Sequence, residues 1–310
     1  MSKIIYRDHN FSVFQSALYQ TNSVVVHTKD LVMVVDPSLL PGEVTEIKQF
    51  VERIQRGRPL ILVFTHSDFD HIIGYRAFNP DKVITSVYMD TNSNKQAILH
   101  EAERFDQRFY IRRSYPLEYP EATFKVYHDE AYYRCGGTRM AFYLAPGHTS
   151  DGLFIVVWQL GLCIVGDYLS NLEFPLIHYS SEAYIQTLEK LQAIHDRNWF
   201  TRIVPGHGRV ISEMGEWLRR RNEHLAYIYA LRESIATGIP FDEDSLWYRY
   251  NFQMELKELH RQNVAFMTEE YLAGKWVYDP NVLALSVGES PQEEDIGLSD
   301  DAASGEMPEG

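Results

Sequence analysis

The 310-residue sequence predicts a mixed α/β fold on three observations. Short β-rich apolar runs dominate its first half. Amphipathic stretches with apolar residues every three or four positions lie between and after them. Polar residues of metal-binding type gather just beyond the ends of several runs, where a layered fold lets loops aim side chains while the sheet holds their bases.

The elements follow in order. Strands are expected at residues 3–7, 11–18, 23–27 and 31–35, the last running LVMVV into Asp36 and Pro37. Val44, Ile47, Val51 and Ile54 share one helical face across residues 42–56, and Gly57 with Pro59 ends that helix. Leu60–Phe64 is a continuous apolar run suited to a strand covered on both faces. Ile98, Ala102 and Phe105 mark an amphipathic helix over 91–109, with Thr91, Asn92 or Ser93 as its cap. Strands return at 122–128, 138–144, 152–158 and 161–166. The stretch 153–166 is too short for a membrane helix, which needs about 20 residues; Gln159 and Gly161 at its middle make it two buried strands joined by a tight turn.

A helix at 183–196, a short strand at Ile203 and Val204, and two long helices near 213–237 and 253–273 complete the pattern. Leu218, Leu225, Ile228, Leu231 and Ile235 form a core stripe on the first long helix, and Arg219–Arg221 reads as a solvated face, with attraction of an anionic substrate as the alternative. Between the long helices an aromatic loop is expected, with Phe241, Trp247, Tyr248, Tyr250 and Phe252. One domain therefore spans residues 1–280, its C-terminal part helical from about 212 to 275. Residues 281–310 read as an acidic disordered tail, because Gly, Ser, Pro and acids cannot bury enough surface to order it.

The formal charge of −14 narrows the range of partners. Eight acids and no Lys or Arg fall in residues 281–310, leaving −6 on the remainder. Neither nucleic acid nor an anionic membrane is an expected partner of such a surface. Cys135 and Cys163 are the only cysteines, which excludes a disulfide framework or a thiolate cluster; Cys163, within an apolar run, is packing. The N-terminus meets charge within eight residues and has no apolar signal segment, so a cytoplasmic location is expected.

Four segments carry the chemistry. Thr65-His66-Ser67-Asp68-Phe69-Asp70-His71 follows a buried strand, and its charged groups repel unless a divalent cation gathers imidazole and carboxylate together. Pro146-Gly147-His148-Thr149, Gly166-Asp167 and Pro205-Gly206-His207-Gly208 each place one more such residue at a strand end beside glycine. Thr149 and Ser150 suit loop capping. His9, His27, His100, His128, His195, His224 and His260 lack partners at ligand spacing.

Taken jointly over residues 22–208, these motifs resemble the metallo-β-lactamase superfamily of metallohydrolases, with Asp36 similar to that family's early structural aspartate. The resemblance implies a four-layer αββα sandwich with a two-metal site in a groove at one edge of the sheets. By position, His66, Asp68 and His148 would bind the first metal and Asp70, His71 and His207 the second, with Asp167 bridging.

It further implies a bridging hydroxide as nucleophile, oriented by Asp70. Tyr168 and His178, which follow the bridging aspartate, are candidate substrate contacts. By analogy with glyoxalase II, the aromatic loop at 241–252 is a candidate wall or lid.

The family usually has His where this chain has Asp68, although flavodiiron proteins carry a carboxylate there and bind iron. The carboxylate makes the site less positive, so it acidifies water less, and harder, which widens the choice of metal from zinc, placed first, toward manganese or iron.

The resemblance implies a hydrolase acting on a small ester, thioester, lactone or phosphoester. An iron-dependent enzyme of oxygen or sulfur chemistry is the alternative, and a non-catalytic ligand-binding member the third. No flavodoxin-like domain and no nuclease-type insert is expected, and the missing export signal argues against antibiotic degradation. The sequence does not indicate the oligomeric state.

Overall fold

A computed structural model describes residues 3–280; the tail expected at 281–310 lies outside the described residues. The first sheet holds, in spatial order, β1 (Lys3–Arg7), β2 (Phe11–Gln15), β3 (Asn22–His27), β4 (Val32–Val35), β5 (Leu60–Val63), β6 (Lys82–Ser86) and β7 (Phe124–Val126). Its strands pair antiparallel as far as β4 and parallel from there to β7. The second sheet runs from β8 (Ala131–Cys135) through β9 (Thr138–Leu144), β10 (Leu153–Val157) and β11 (Leu162–Ile164) to β12 (Arg202–Val204). Only its β11–β12 pair is parallel.

Period-2 alternation explains how the sheets stack. Met33 and Val35 of β4 face Ile155 and Val157 of β10 in a core between the sheets. Val32 and Val34 point the other way, onto Val44, Ile47 and Val51 of α1 (Pro41–Gln55), which crosses from β4 to the parallel β5. On the far side, Phe154 and Val156 of β10 meet Tyr184, Leu188 and Leu191 of α5 (Ser181–Asn198). The central strands of both sheets are therefore buried on both faces, which is why they read as unbroken apolar runs. The order of layers is helix, sheet, sheet, helix.

Shorter helices punctuate the first half: α2 (Phe69–Ile72), α3 (Val87–Asp90) and α4 (Lys95–Arg108). After β12 come α6 (Met214–Thr237), α7 (Glu243–Arg249) and α8 (Gln253–Leu272). No described helix is long and apolar enough to cross a membrane.

The helix expected at 91–109 begins only at Lys95: Asn92 Oδ1 accepts from the Asn94 amide at 2.8 Å in a turn before it, while the Asn92 side-chain amide donates to Ser67 and Asp151. The strand expected at 11–18 stops at Gln15, where Tyr19 and Gln20 take positive φ and turn the chain. Strand β8 was not expected, since its partly exposed Tyr and Arg residues give no apolar run. The aromatic loop contains α7, capped by Asp242, whose Oδ1 accepts from the Ser245 amide at 3.1 Å.

The C-terminal helices are fastened to the segment between β11 and α5 by buried polar groups. Asn263 of α8 accepts from the Ile177 amide at 3.0 Å and donates to the Pro175 carbonyl at 2.6 Å. Glu270 accepts from Ser181 at the start of α5, and Phe174 stacks on Tyr227 of α6 with centroids 4.7 Å apart. Burying these groups is favourable only because each is hydrogen-bonded, so segment 174–181 is held in one place relative to α8.

Candidate metal centre

The seven side chains named from the strand-end motifs meet at one edge of the sandwich, in two groups. His66, Asp68, His148 and Asp167 form the first; Asp70, His71 and His207 form the second. Donor atoms within each group lie within 4.8 Å of one another. The heptad after β5 supplies four of the seven: His66 and Asp68 from the loop, Asp70 and His71 from α2. His148 follows β9, Asp167 follows β11 and His207 follows β12.

Each imidazole is fixed from behind. His71 Nδ1 lies 3.0 Å from Asp36 Oδ2, His148 Nδ1 lies 2.8 Å from the Leu176 carbonyl, and His207 Nδ1 lies 2.9 Å from the Tyr19 carbonyl. A carbonyl or carboxylate oxygen can only accept, so each Nδ1 carries the hydrogen. His66 Nδ1 lies 3.0 Å from Thr65 Oγ1, whose own hydrogen goes to Asp36 Oδ2 at 2.5 Å. Every Nε2 therefore faces the centre as a lone pair, the tautomer that binds a metal.

Those inward atoms meet only other acceptors. His71 Nε2 and His207 Nε2 stand 3.3 Å apart, and His148 Nε2 is 3.1 Å from Asp68 Oδ2 and 3.3 Å from Asp167 Oδ2. Asp167 also reaches His66 at 3.6 Å and His207 at 3.2 Å through Oδ2, and His71 at 3.1 Å through Oδ1, so it spans both groups. His66 Nε2 and Asp167 Oδ1 are buried without a hydrogen-bond partner.

Lone pairs opposed at this range need a cation between them, whether protons or metal ions. Ligands about 2.0–2.1 Å from a shared tetrahedral ion stand roughly 3.3 Å apart, which is the observed spacing. The residues present fit a divalent metal.

The electrostatics agree. Burial alone pushes the His66 and His148 imidazoles down, but Asp167 and Asp68 beside them more than reverse this and raise each to about 10. Burial likewise opposes charge at His71 and His207, and Asp167 foremost among the carboxylates lifts both well above the ordinary histidine range. Burial also raises Asp68 and Asp167, yet the surrounding histidines hold both well below the usual carboxylate range. The cluster holds positive charge in one form or another, and metal binding would displace protons from it.

Backbone geometry protects the cradle. A Cβ on Gly206 would strike Asp167 Oδ1 and come within 2.9 Å of His71, so glycine is required there. Asp36 adopts a left-handed φ of 49° and accepts from the Thr65 amide at 2.8 Å as well as from the Thr65 hydroxyl and His71. Strain at a non-glycine residue persists where surrounding contacts over-determine it, as these do.

Asn22 pins the His207 loop: its side chain donates to the Pro205 and Gly208 carbonyls, and its backbone amide donates to the Gly206 carbonyl at 2.6 Å. Asp70 receives a hydrogen bond from Thr21 at 3.1 Å.

One carboxylate in the site was missed from the sequence. Glu173 brings a donor atom within 4.8 Å of those of Asp167 and His207, and burial raises its pKa. It stands alone in the segment Asn171-Leu172-Glu173-Phe174-Pro175, with no motif around it.

Of the two candidate substrate contacts, His178 lines the cavity over the centre, its ring 5.1 Å from that of His148. Tyr168 does not line it. The ring is buried in the helix-side core and its hydroxyl is engaged with the Ala145 and Pro146 carbonyls and the His148 amide, so Tyr168 positions the His148 loop instead.

That cavity measures about 400 Å³. Asp68, Asp70, His148, Asp167 and His207 form its floor, while Leu172, Leu176, Leu256 and Leu259 build its apolar wall. From the 241–252 stretch, Phe252 lines it.

Solved structures share this architecture. A metallo-beta-lactamase from Pontibacter korlensis matches with a TM-score of 0.52 and 15% identity over 74% of this chain and 99% of that one. A metallo-beta-lactamase family protein from Thermus thermophilus matches with a TM-score of 0.55 and 13% identity, covering 74% and 82%. A double mutant of the sec-alkyl sulfatase PisA1 matches with a TM-score of 0.60 and 12% identity, over 76% of this chain but 43% of that one.

At such identities the likeness is one of fold. The family model of the metallo-beta-lactamase superfamily matches residues 17–207, from the turn after β2 to the last histidine of the cluster. The chain belongs to the metallo-beta-lactamase superfamily, whose members are mostly hydrolytic enzymes.

Proposed function

We propose that this protein is a dinuclear metal-dependent hydrolase that cleaves a small ester, thioester, lactone or phosphoester. The observation that carries the proposal is the set of inward Nε2 lone pairs opposed to carboxylates at 3.1–3.7 Å, each imidazole fixed from behind. A pair of divalent cations would supply an ionised water and polarise the electrophile.

The chain's own groups divide the remaining work. His66, Asp68 and His148 would hold one ion and Asp70, His71 and His207 the other, with Asp167 shared between the two groups. Asp70 would orient the nucleophilic water; its position in the cavity lining and the hydrogen bond it accepts from Thr21 support that role. Asp36 and Thr65 lock His66 and His71 in the metal-binding tautomer. The apolar wall limits access of bulk water, which strengthens every polar interaction at the floor.

A second reading has one observation in its favour. With Glu173 the centre contains as many carboxylates, Asp68, Asp70, Asp167 and Glu173, as histidines. Such an oxygen-rich donor set suits iron or manganese as well as zinc, and iron would open oxygen or sulfur chemistry.

Elemental analysis of the purified protein, beside assays on lactone, thioester, ester and phosphodiester substrates, separates the two. Two divalent ions per chain with hydrolysis supports the proposal. Iron content with oxygen consumption and no hydrolysis overturns it.

A further inference from the structure

We infer that the cavity selects substrates whose non-reacting part is apolar and carries no negative charge, with Glu255 and Glu173 enforcing that choice. The inference rests on the hydrolase reading for the reaction but not for binding. Among the described residues that line the cavity there is no Lys or Arg; beyond the floor its polar side chains are Tyr19, Gln20, Glu173, His178 and Glu255. A carboxylate or phosphate on the substrate, away from the bond being broken, would find no guanidinium or ammonium partner among these residues, only the donors of Tyr19, Gln20 and His178.

The cavity is small, toward the low end of the roughly 300–1,000 Å³ typical of ligand pockets. An anion inside it would exchange its water for few donors and no fixed positive charge from a lysine or arginine.

The charges that are present have the wrong sign for an anion. Glu255 lies at the rim in the first turn of α8, exposed, and acts on Tyr19 across the mouth. Glu173 sits between the floor and the wall.

One described cation, Arg108, also acts on Tyr19 at the mouth, but less than Glu255 and Asp70 do. Arg108 lies over the Phe109 ring at 5.6 Å, Lys257 over Trp247 at 5.5 Å, and Arg104 pairs with Glu101 at 3.6 Å. The three aspartates at the centre already offset three of the four positive charges of two divalent ions before any hydroxide or Glu173 is counted, so the metals leave little excess positive field to attract an anion. Leu172, Leu176, Leu256 and Leu259 favour an alkyl or similar group instead, and Phe252, 57% exposed, extends the apolar surface to the mouth.

Three amides of one length test the selection without catalysis: octanamide, 8-aminooctanamide and suberic acid monoamide. They present a neutral, a cationic and an anionic terminus to the metal-loaded protein. Calorimetry should give dissociation constants for the first two at least about tenfold below that of the third, about 1.4 kcal/mol. Glu255→Lys should close most of that gap.

Equal or tighter binding of the anionic amide overturns the inference, as does failure of all three to bind. The p-nitrophenyl esters of the same three acids test the reaction separately. Water attacks the acyl carbon, the C–O bond breaks, p-nitrophenolate leaves with the electron pair and the acid keeps the oxygen of water. Amide selection with no cleavage of any ester, lactone or thioester would remove the hydrolase reading and leave the charge selection standing.

Discussion

The floor and the wall of the cavity are built on different principles. At the floor the seven motif ligands come from segments that directly follow buried strands, the short helix α2 included, and each histidine has its second nitrogen held by Asp36, Thr65, Leu176 or Tyr19. The wall comes from segment 172–178 and α8, where Leu172, Leu176, Leu256 and Leu259 give apolar surface beside the polar Glu173 and His178, with Glu255 and Phe252 exposed at the rim. Atoms that bind a metal must be placed to a few tenths of an ångström, and hydrogen bonds supply that direction. Apolar contact is non-directional, so the wall can change its side chains without disturbing the floor.

The largest effect that would break this comparison is expected at Asp36. Asp36→Asn cannot accept all three of the hydrogen bonds from the Thr65 amide, the Thr65 hydroxyl and His71. Metal affinity measured by competition with a chelator should fall ~10–100-fold. By contrast Leu259→Ala, on the wall, should leave metal content unchanged and raise KM roughly fivefold, about 1 kcal/mol. A loss of metal in the wall variant would show that the two regions are not independent.

Asp68→His sharpens the account of the floor. Removing one negative charge should ease ionisation of the bound water and move the acidic limb of the pH–rate profile down by on the order of one pH unit. Superimposable profiles for the two proteins would remove the charge argument.

The smallest effect concerns a histidine outside the centre. Burial pushes His224 down to about 4, while its ring bonds the Ser170 carbonyl at 3.1 Å. A folded pKa below the unfolded value of about 6.5 gives stability that is present above pH 6.5 and lost as pH falls toward 4. The Tm difference between the wild type and His224→Gln should therefore narrow by on the order of 5 °C across that interval. A constant difference would show that His224 is protonated in the folded protein.

The contrast between floor and wall also decides what could be read from the sequence. His66, Asp68, Asp70, His71, His148, Asp167 and His207 were legible because each stands at the end of an apolar run or in the turn after it, most of them beside glycine or within the heptad, in a fixed order. Glu173 was not, because it lies in an irregular segment and reaches the centre only through the path that Asn263 and Phe174 impose on that segment.

Tyr168 was placed in the groove on its adjacency to Asp167. Successive side chains at a strand end point to opposite sides, and the neighbour of an inward aspartate goes into the helix layer. The layers were legible from unbroken apolar runs. Strand β8 and helix α7 were hidden by aromatic residues that are half exposed in one and packed on Phe174 and His260 in the other.

Metal stoichiometry in three proteins tests the central claim most directly. After equilibration with zinc, manganese or ferrous iron and removal of free ion, the wild type should retain two ions per chain. His148→Ala and His207→Ala should each retain one, with both variants folded by circular dichroism. Full metal content in either variant, or fewer than two ions in the wild type under every metal, would contradict the claim that these side chains converge to hold a pair of cations.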